Sequence, residues 1–194
     1  LFWDQVVAAA ERHDITLIPY VCYTPRWLST DPVDFWRRPP SDPARFGRFM
    51  EVIVRRYRDT IHAWELWNEP DNRDYWLGDV DELAALLREG ARGVRRADPG
   101  AVIVLGGLTQ WPDGAFLEAL LERHAAASWL DVINLHGYAG TWDPRPASEY
   151  PARIAATAAL LPRPGPDLWM AEFGYSSDRT APGAPKTCGV APAA

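Results

Sequence analysis

The chain has 194 residues, 47% of them hydrophobic and 24% charged, with a net charge of −6. That is enough for one domain with a real core, and it lacks the basic footprint that nucleic acid would require. No apolar run approaches the roughly 20 residues that span a bilayer, and the two cysteines, Cys22 and Cys188, are too few for a disulfide scaffold and lack a metal-ligand spacing.

Phe2 to His13 reads as a helix with Phe2, Val6, Val7 and Ala10 on one side. No charged segment followed by an apolar stretch precedes it. A signal peptide is therefore not visible, and the compartment stays open. Ile15 to Tyr20 is a short apolar run that predicts a buried strand, with Cys22 as a buried thiol near its end. A loop rich in Pro, Trp and Arg follows. Asp42 then caps a helix with Pro43 at its first position. Phe46, Phe49, Met50, Ile53, Val54 and Tyr57 form its apolar stripe, and its arginines form a solvated face. Ile61 to Trp67 predicts a strand. Asp79 and Glu82 form a capping box that opens a helix, stopped at Asp98-Pro99-Gly100. Ala101 to Leu105 and Leu130 to Leu135 predict strands, with a helix over Phe116 to His124 between them. An Ala-rich helix, Ser148 to Leu161, and a strand, Asp167 to Ala171, complete the series. The tail from Ser176 is rich in Pro, Gly and Ala, so residues 1–175 are expected to form the domain and 176–194 a loop leading away from it.

Strand and helix alternate, and the strands are continuous apolar runs. That is the pattern of a parallel sheet buried on both faces, with helices outside. Polar and aromatic residues gather just after the strand ends, the edge at which α/β folds bind ligands.

Cleaving a glycosidic bond requires two carboxyls across the anomeric carbon, one protonated to help the leaving oxygen depart and one ionised to attack carbon or activate water. Two glutamates stand where a buried strand meets its loop. Glu69 lies in Trp67-Asn68-Glu69-Pro70, and Glu172 in Ala171-Glu172-Phe173-Gly174. A carboxylate directly after an apolar run is costly to bury without a role or a partner. These two segments resemble the motifs of glycoside hydrolase clan A: the Asn-Glu-Pro after strand four of a (β/α)8 barrel, and the segment bearing the nucleophile after strand seven. Two predicted strands lie between them, as that resemblance requires. Tyr23-Thr24-Pro25-Arg26-Trp27-Leu28 and Asn134-Leu135-His136-Gly137-Tyr138 place the pattern nearest to family 39, the β-xylosidase and iduronidase group, and to cellulase-like families.

The resemblance implies an incomplete TIM barrel with strands three to seven present and strands one, two and eight absent. It implies a retaining O-glycosyl hydrolase of a β-linked glycan or glycoside, with no metal and no organic cofactor. Glu69 would be the acid/base and Glu172 the nucleophile, about 5–5.5 Å apart, with the charge of one holding the proton on the other. Asn68 would bind the sugar 2-hydroxyl, His136 would contact the nucleophile or substrate, and Tyr138 would donate its hydroxyl to Glu172. Trp27 and Trp142, like Trp36, Trp76 and Trp111, fall in loops after strand ends. There an aromatic face can bind a sugar ring, or simply pack under the loop. Glu65 reads as structural, paired with an arginine.

A full barrel takes about 250 residues and eight strands; five are predicted here. The missing first two would precede Leu1, and the eighth would follow Ala194. The 194 residues alone are therefore expected to be poorly stable and weakly active. Two other readings use the same residues: a non-catalytic sugar-binding or structural remnant of such a barrel, and a transglycosidase.

Overall fold

The computed structural model describes residues 1–112 and 115–174. Cys188 and the segment 176–194 lie outside the described residues. Five helices, α1 (Phe2–Arg12), α2 (Pro43–Tyr57), α3 (Val80–Ala97), α4 (Ala115–His124) and α5 (Tyr150–Leu160), alternate with strands β1 (Tyr20–Val21), β2 (Ala63–Leu66), β3 (Val102–Leu105), β4 (Val132–Gly137) and β5 (Asp167–Phe173). The sheet is parallel throughout, in the order β1-β2-β3-β4-β5. Because the strand order never reverses, right-handed crossovers place every connecting helix on the same face. This is the arrangement of an arc of a TIM barrel, not of a doubly wound sheet with helices on both sides.

Side chains alternate along a strand. Leu66, Ile103, Leu105, Ile133 and Leu135 pack with Leu83, Leu86, Leu87, Val94, Leu117 and Leu120 in one core between sheet and helices. Glu65, Asn134 and His136 alternate with these residues and so belong to the opposite, inner face. Among the described residues no helix is long and apolar enough to cross a membrane.

Local chemistry explains most boundaries. The Asp42 carboxylate accepts from the Ala44 amide at 3.0 Å and starts α2. The capping box of α3 closes in both directions: Glu82 N–H to Asp79 at 2.8 Å, and Asp79 N–H to Glu82 at 2.9 Å. Helices α2 and α3 cross in close contact because glycines face each other. A Cβ on Gly93 would lie 2.0 Å from the Gly47 carbonyl oxygen, and one on Gly47 would lie 2.5 Å from that of Glu89.

The first strand departs from expectation. Only Tyr20 and Val21 join the ladder, and Ile15 and Ile18 are substantially exposed. β1 has a neighbour on one side only, so its apolar run has nothing to be buried against. Cys22 is accordingly only partly buried. Phe2 and Phe49, expected on buried stripes, are exposed too. β4 and β5 each run two residues beyond their predicted ends, carrying His136 and Glu172 within the strands.

Replacing Gly93 by Ala should destabilise the chain by about 1–3 kcal/mol in urea denaturation, even though Ala favours a helix over Gly by roughly 1 kcal/mol. A neutral or stabilising effect would show that the two helices are free to move apart.

Candidate active site

The loop after β2 starts from a strained turn. The Trp67 N–H still bonds Val21 O at 2.9 Å, but Trp67 (φ 75°) and Glu69 (φ 42°) both take left-handed backbone, at a cost of about 1–3 kcal/mol each. Two features hold this turn. The Trp67 indole donates to Tyr75 O at 3.2 Å, and its ring lies edge-on to the buried Trp76 at 5.0 Å. On the β3 side Gly106 leaves the necessary space, since a Cβ there would lie 2.7 Å from the Trp67 carbonyl. Asn68 is buried between the two left-handed residues. The same loop is tied to the one after β3 by Asp71, whose carboxylate takes the Thr109 and Gln110 amides at 2.9 and 2.7 Å. Burial pushes the Asp71 carboxyl above its ordinary pKa, against those hydrogen bonds.

On the other side, β4 and β5 pair in register up to Leu135 and Met170. They then slip by one residue, so that His136 stands opposite Glu172. The extra residue is Ala171. Its N–H is taken by the side chain of Asn134 at 2.9 Å. The Asn134 amide in turn donates to Glu65 at 3.0 Å, and the same Glu65 oxygen accepts the Gly107 N–H at 2.9 Å. Glu65 therefore pairs with an asparagine and a backbone amide, not with the expected arginine. Burial pushes its carboxyl above the ordinary range, against the opposing effect of the two hydrogen bonds and of His136. Gly107 has a second role: a Cβ there would lie 2.0 Å from the His136 ring.

These supports bring Glu69, His136 and Glu172 together, with one polar atom from each lying within 4.8 Å of the others. His136 Nδ1 stands 3.0 Å from Glu69 Oε1 and 3.5 Å from Glu172 Oε2. Both neighbours are acceptors, which assigns the proton to Nδ1. The Asn72 amide donates to the second Glu69 oxygen at 3.0 Å, and the Tyr138 hydroxyl donates to Glu172 Oε2 at 2.8 Å. Burial disfavours the charged form of His136. The hydrogen bond with Glu69 and the charges of Glu172, Glu69 and Glu65 together outweigh it and raise the pKa above its ordinary value. Tyr138 is pushed up to about 12 by burial and then by Glu172, so it keeps the proton it donates.

The tryptophans divide. Trp76 and Trp111 are buried and pack under loops, while Trp142 is 59% exposed and lies against Tyr138 at 4.6 Å. Trp27 lines a separate cavity with Tyr23, Arg45 and Phe49, and neither glutamate borders it. Asn72, Asn134 and Gly107 were not singled out from the sequence. Only Asn72 had a local signal, since it sits three residues after Glu69 in a Pro-containing turn.

No family model matches the chain, and no curated protein matches it in sequence. Solved structures do. A glucosidase from Croceicoccus marinus superposes with a TM-score of 0.70 at 19% identity, over 90% of this chain and 38% of that one. A family 39 glycoside hydrolase from Xanthomonas axonopodis pv. citri gives 0.70 at 21% identity, over 91% and 40%. A monomeric β-xylosidase from Caulobacter crescentus CB15 gives 0.68 at 17% identity, over 90% and 41%. The fold is that of a clan A-like glycoside hydrolase barrel. At these identities the likeness establishes the fold, and the chain spans about two-fifths of the length of each of these barrels. Within this glycosidase-type barrel, Glu69 and Glu172 leave the ends of the second and fifth strands of the arc on the same edge of the sheet.

Two measurements probe this construction. Asn134→Leu should leave the Ala171 amide without a partner, at a cost of about 1–3 kcal/mol, and turn a slow-exchanging amide proton into a fast one. Unchanged exchange at Ala171 would mean that Asn134 does not hold the slip. Because the folded pKa of His136 is raised above about 6.5, its charged contacts add stability that is whole below about pH 6.5 and is lost as the pH rises through the folded value. The stability gap between the chain and its His136→Gln variant should therefore narrow on going from about pH 6 to about pH 9. A constant gap would contradict a charged ring.

Proposed function

We propose that the chain is the catalytic segment of a retaining O-glycosyl hydrolase, cleaving a β-glycosidic bond of a glycan or glycoside by double displacement. The observation that carries this reading is the approach of a Glu69 oxygen to within 4.8 Å of a Glu172 oxygen, on different strands at the ligand-binding edge of a barrel arc. Retaining enzymes hold their carboxyls about 5–5.5 Å apart, and inverting enzymes hold them about 6.5–9.5 Å apart to admit a water. Glucosidase and β-xylosidase neighbours, and an endo-β-1,3-glucanase from Amycolatopsis mediterranei in complex with laminaritriose and laminaribiose, support a carbohydrate substrate.

In this reading Glu172 is the nucleophile. The Tyr138 hydroxyl steadies the oxygen it reaches, and the carboxylate attacks the anomeric carbon while Glu69 gives its proton to the leaving oxygen. His136 sits between them, so the charge of Glu172 is not the only influence on that proton. The proton shared across the Glu69–His136 contact is the one delivered. Once Glu172 is esterified its charge is gone, and Glu69 takes a proton from the incoming water. Asn68, buried beside Glu69, is placed to bond the sugar 2-hydroxyl. No step calls for a metal or an organic cofactor.

A second reading, a sugar-binding remnant without turnover, draws on one observation: Ile18 and Tyr20, next to the unpaired side of β1, are open to solvent. Variants separate the two. Glu69→Ala should lower kcat on aryl β-glycosides by about 10²–10⁴-fold. Glu172→Ala should abolish turnover, with azide restoring it as the inverted glycosyl azide. If both variants keep the parent's rate, the catalytic reading fails; if the parent is silent on every glycoside yet binds sugars, the remnant reading takes its place.

A further inference from the structure

A cavity of about 510 Å³ opens beside Glu69, of the size that small ligands occupy. Glu69, His136 and Tyr138 border it; Glu172 does not. In a displacement at an anomeric carbon, the acid stands beside the departing oxygen, and the nucleophile approaches from the opposite side of the bond being broken. A space bordered by the acid and not by the nucleophile is on the leaving side. We infer that this cavity receives the leaving group, and that the leaving group is itself a neutral sugar. The inference rests on the glycosidase reading and extends it to the class of substrate: a disaccharide or longer glycan, not an aryl or alkyl glycoside.

The lining carries the chemical argument. One wall is Trp142. Trp67, Trp76 and Trp111 are each about 1% exposed, whereas Trp142 presents 59% of its surface. It is not loose. The amides of Thr141, Trp142 and Asp143 all bond Tyr138 O at 3.1–3.2 Å, and Asp143 is gripped by Arg145 at 2.9 Å and by the buried Arg153 at 2.7 Å. A flat aromatic face held open on a braced loop suits the apolar face of a pyranose.

The facing wall is polar and equally fixed. Thr109 and Gln110 are held by Asp71, with the Gln110 side-chain amide on Asp71 O at 2.9 Å, and Asn72, Asp74 and Tyr75 complete it. Donors and acceptors are mixed there as they are on a sugar ring, and an alkyl group would leave them desolvated and unpaired. Asp74 and Asp143 face a single arginine, Arg145, in the lining, which disfavours an anionic leaving group.

Every residue in this lining belongs to the chain itself, so binding can be read without turnover. The probe is a titration of the ¹⁵N-labelled chain with xylobiose, cellobiose and laminaribiose, and with benzyl alcohol as the aryl control. It follows the Trp142 indole N–H and the Gln110 side-chain amide. At least one disaccharide should shift both signals saturably at millimolar concentration, the affinity of a weak single-site ligand near −4 kcal/mol. Trp142→Ala, an exposed position whose loss spares the core, should weaken the Gln110 response at least about tenfold. Gln110→Ala checks the same pocket through the Trp142 signal. If no disaccharide moves either signal, or benzyl alcohol moves them equally well, the assignment is overturned. Hydrolysis of aryl β-glycosides tests the glycosidase reading separately, because their leaving group is not a sugar. A pocket silent to disaccharides in a chain that cleaves aryl glycosides overturns this inference alone.

Discussion

The site depends on a slip of one residue between β4 and β5. In an unbroken parallel ladder, Ala171 would stand opposite His136 and Glu172 would project to the other face of the sheet. The slip turns Glu172 inward, and it leaves the Ala171 N–H outside the ladder. A buried amide without a partner costs as much as a lost hydrogen bond. Asn134 removes that cost with one side-chain oxygen, while its amide leans on Glu65, which also holds Gly107 behind the His136 ring. One buried carboxylate thus supports both halves of the site: the strand bearing Glu172, and the bare backbone that makes room for His136.

The Glu69 side is built differently, by strain held in place. Two left-handed residues flank Asn68 at the end of β2, and nothing in an Asn-Glu-Pro turn favours that backbone for tryptophan. It persists because the Trp67 and Trp76 rings are buried against each other and Gly106 clears the space beneath them. Asp71 then fastens this loop to the one after β3. The two glutamates are carried by separate loops and strands, but each is fixed by buried groups that touch no substrate. Sites held within a fraction of an ångström are supported in this way.

The helices and the strand count were legible in the sequence because they rest on local rules. The capping box of α3 and the Asp42-Pro43 start of α2 are single-turn chemistry, and four apolar runs mark β2 to β5. The meeting of Glu69 and Glu172 was also legible, since each follows such a run and barrel edges gather strand ends. The inner face was harder to read. His136 and Glu172 lie within strands but were read as following them, because a polar residue pointing into a barrel looks like the start of a loop. The slip at Ala171 was not legible at all: it depends on Asn134, 37 positions away. Loop tryptophans carry no local mark of their fate, so Trp76 and Trp111, which are buried, looked the same as Trp142, which is open. The apolar run at Ile15 misled for a complementary reason: burial belongs to a strand and its neighbours together, and β1 is paired on one side only.

The central claim is that Glu172 reaches the anomeric carbon of a sugar whose leaving group Glu69 protonates. Its most direct test is a single-turnover label, which needs no sustained activity: incubation with 2,4-dinitrophenyl 2-deoxy-2-fluoro-β-glycosides of xylose and glucose, followed by peptide mass spectrometry. The account predicts one fluoroglycosyl ester, on the peptide bearing Glu172, and its loss in Glu172→Ala. A label on any other residue, or none from either sugar, would contradict it.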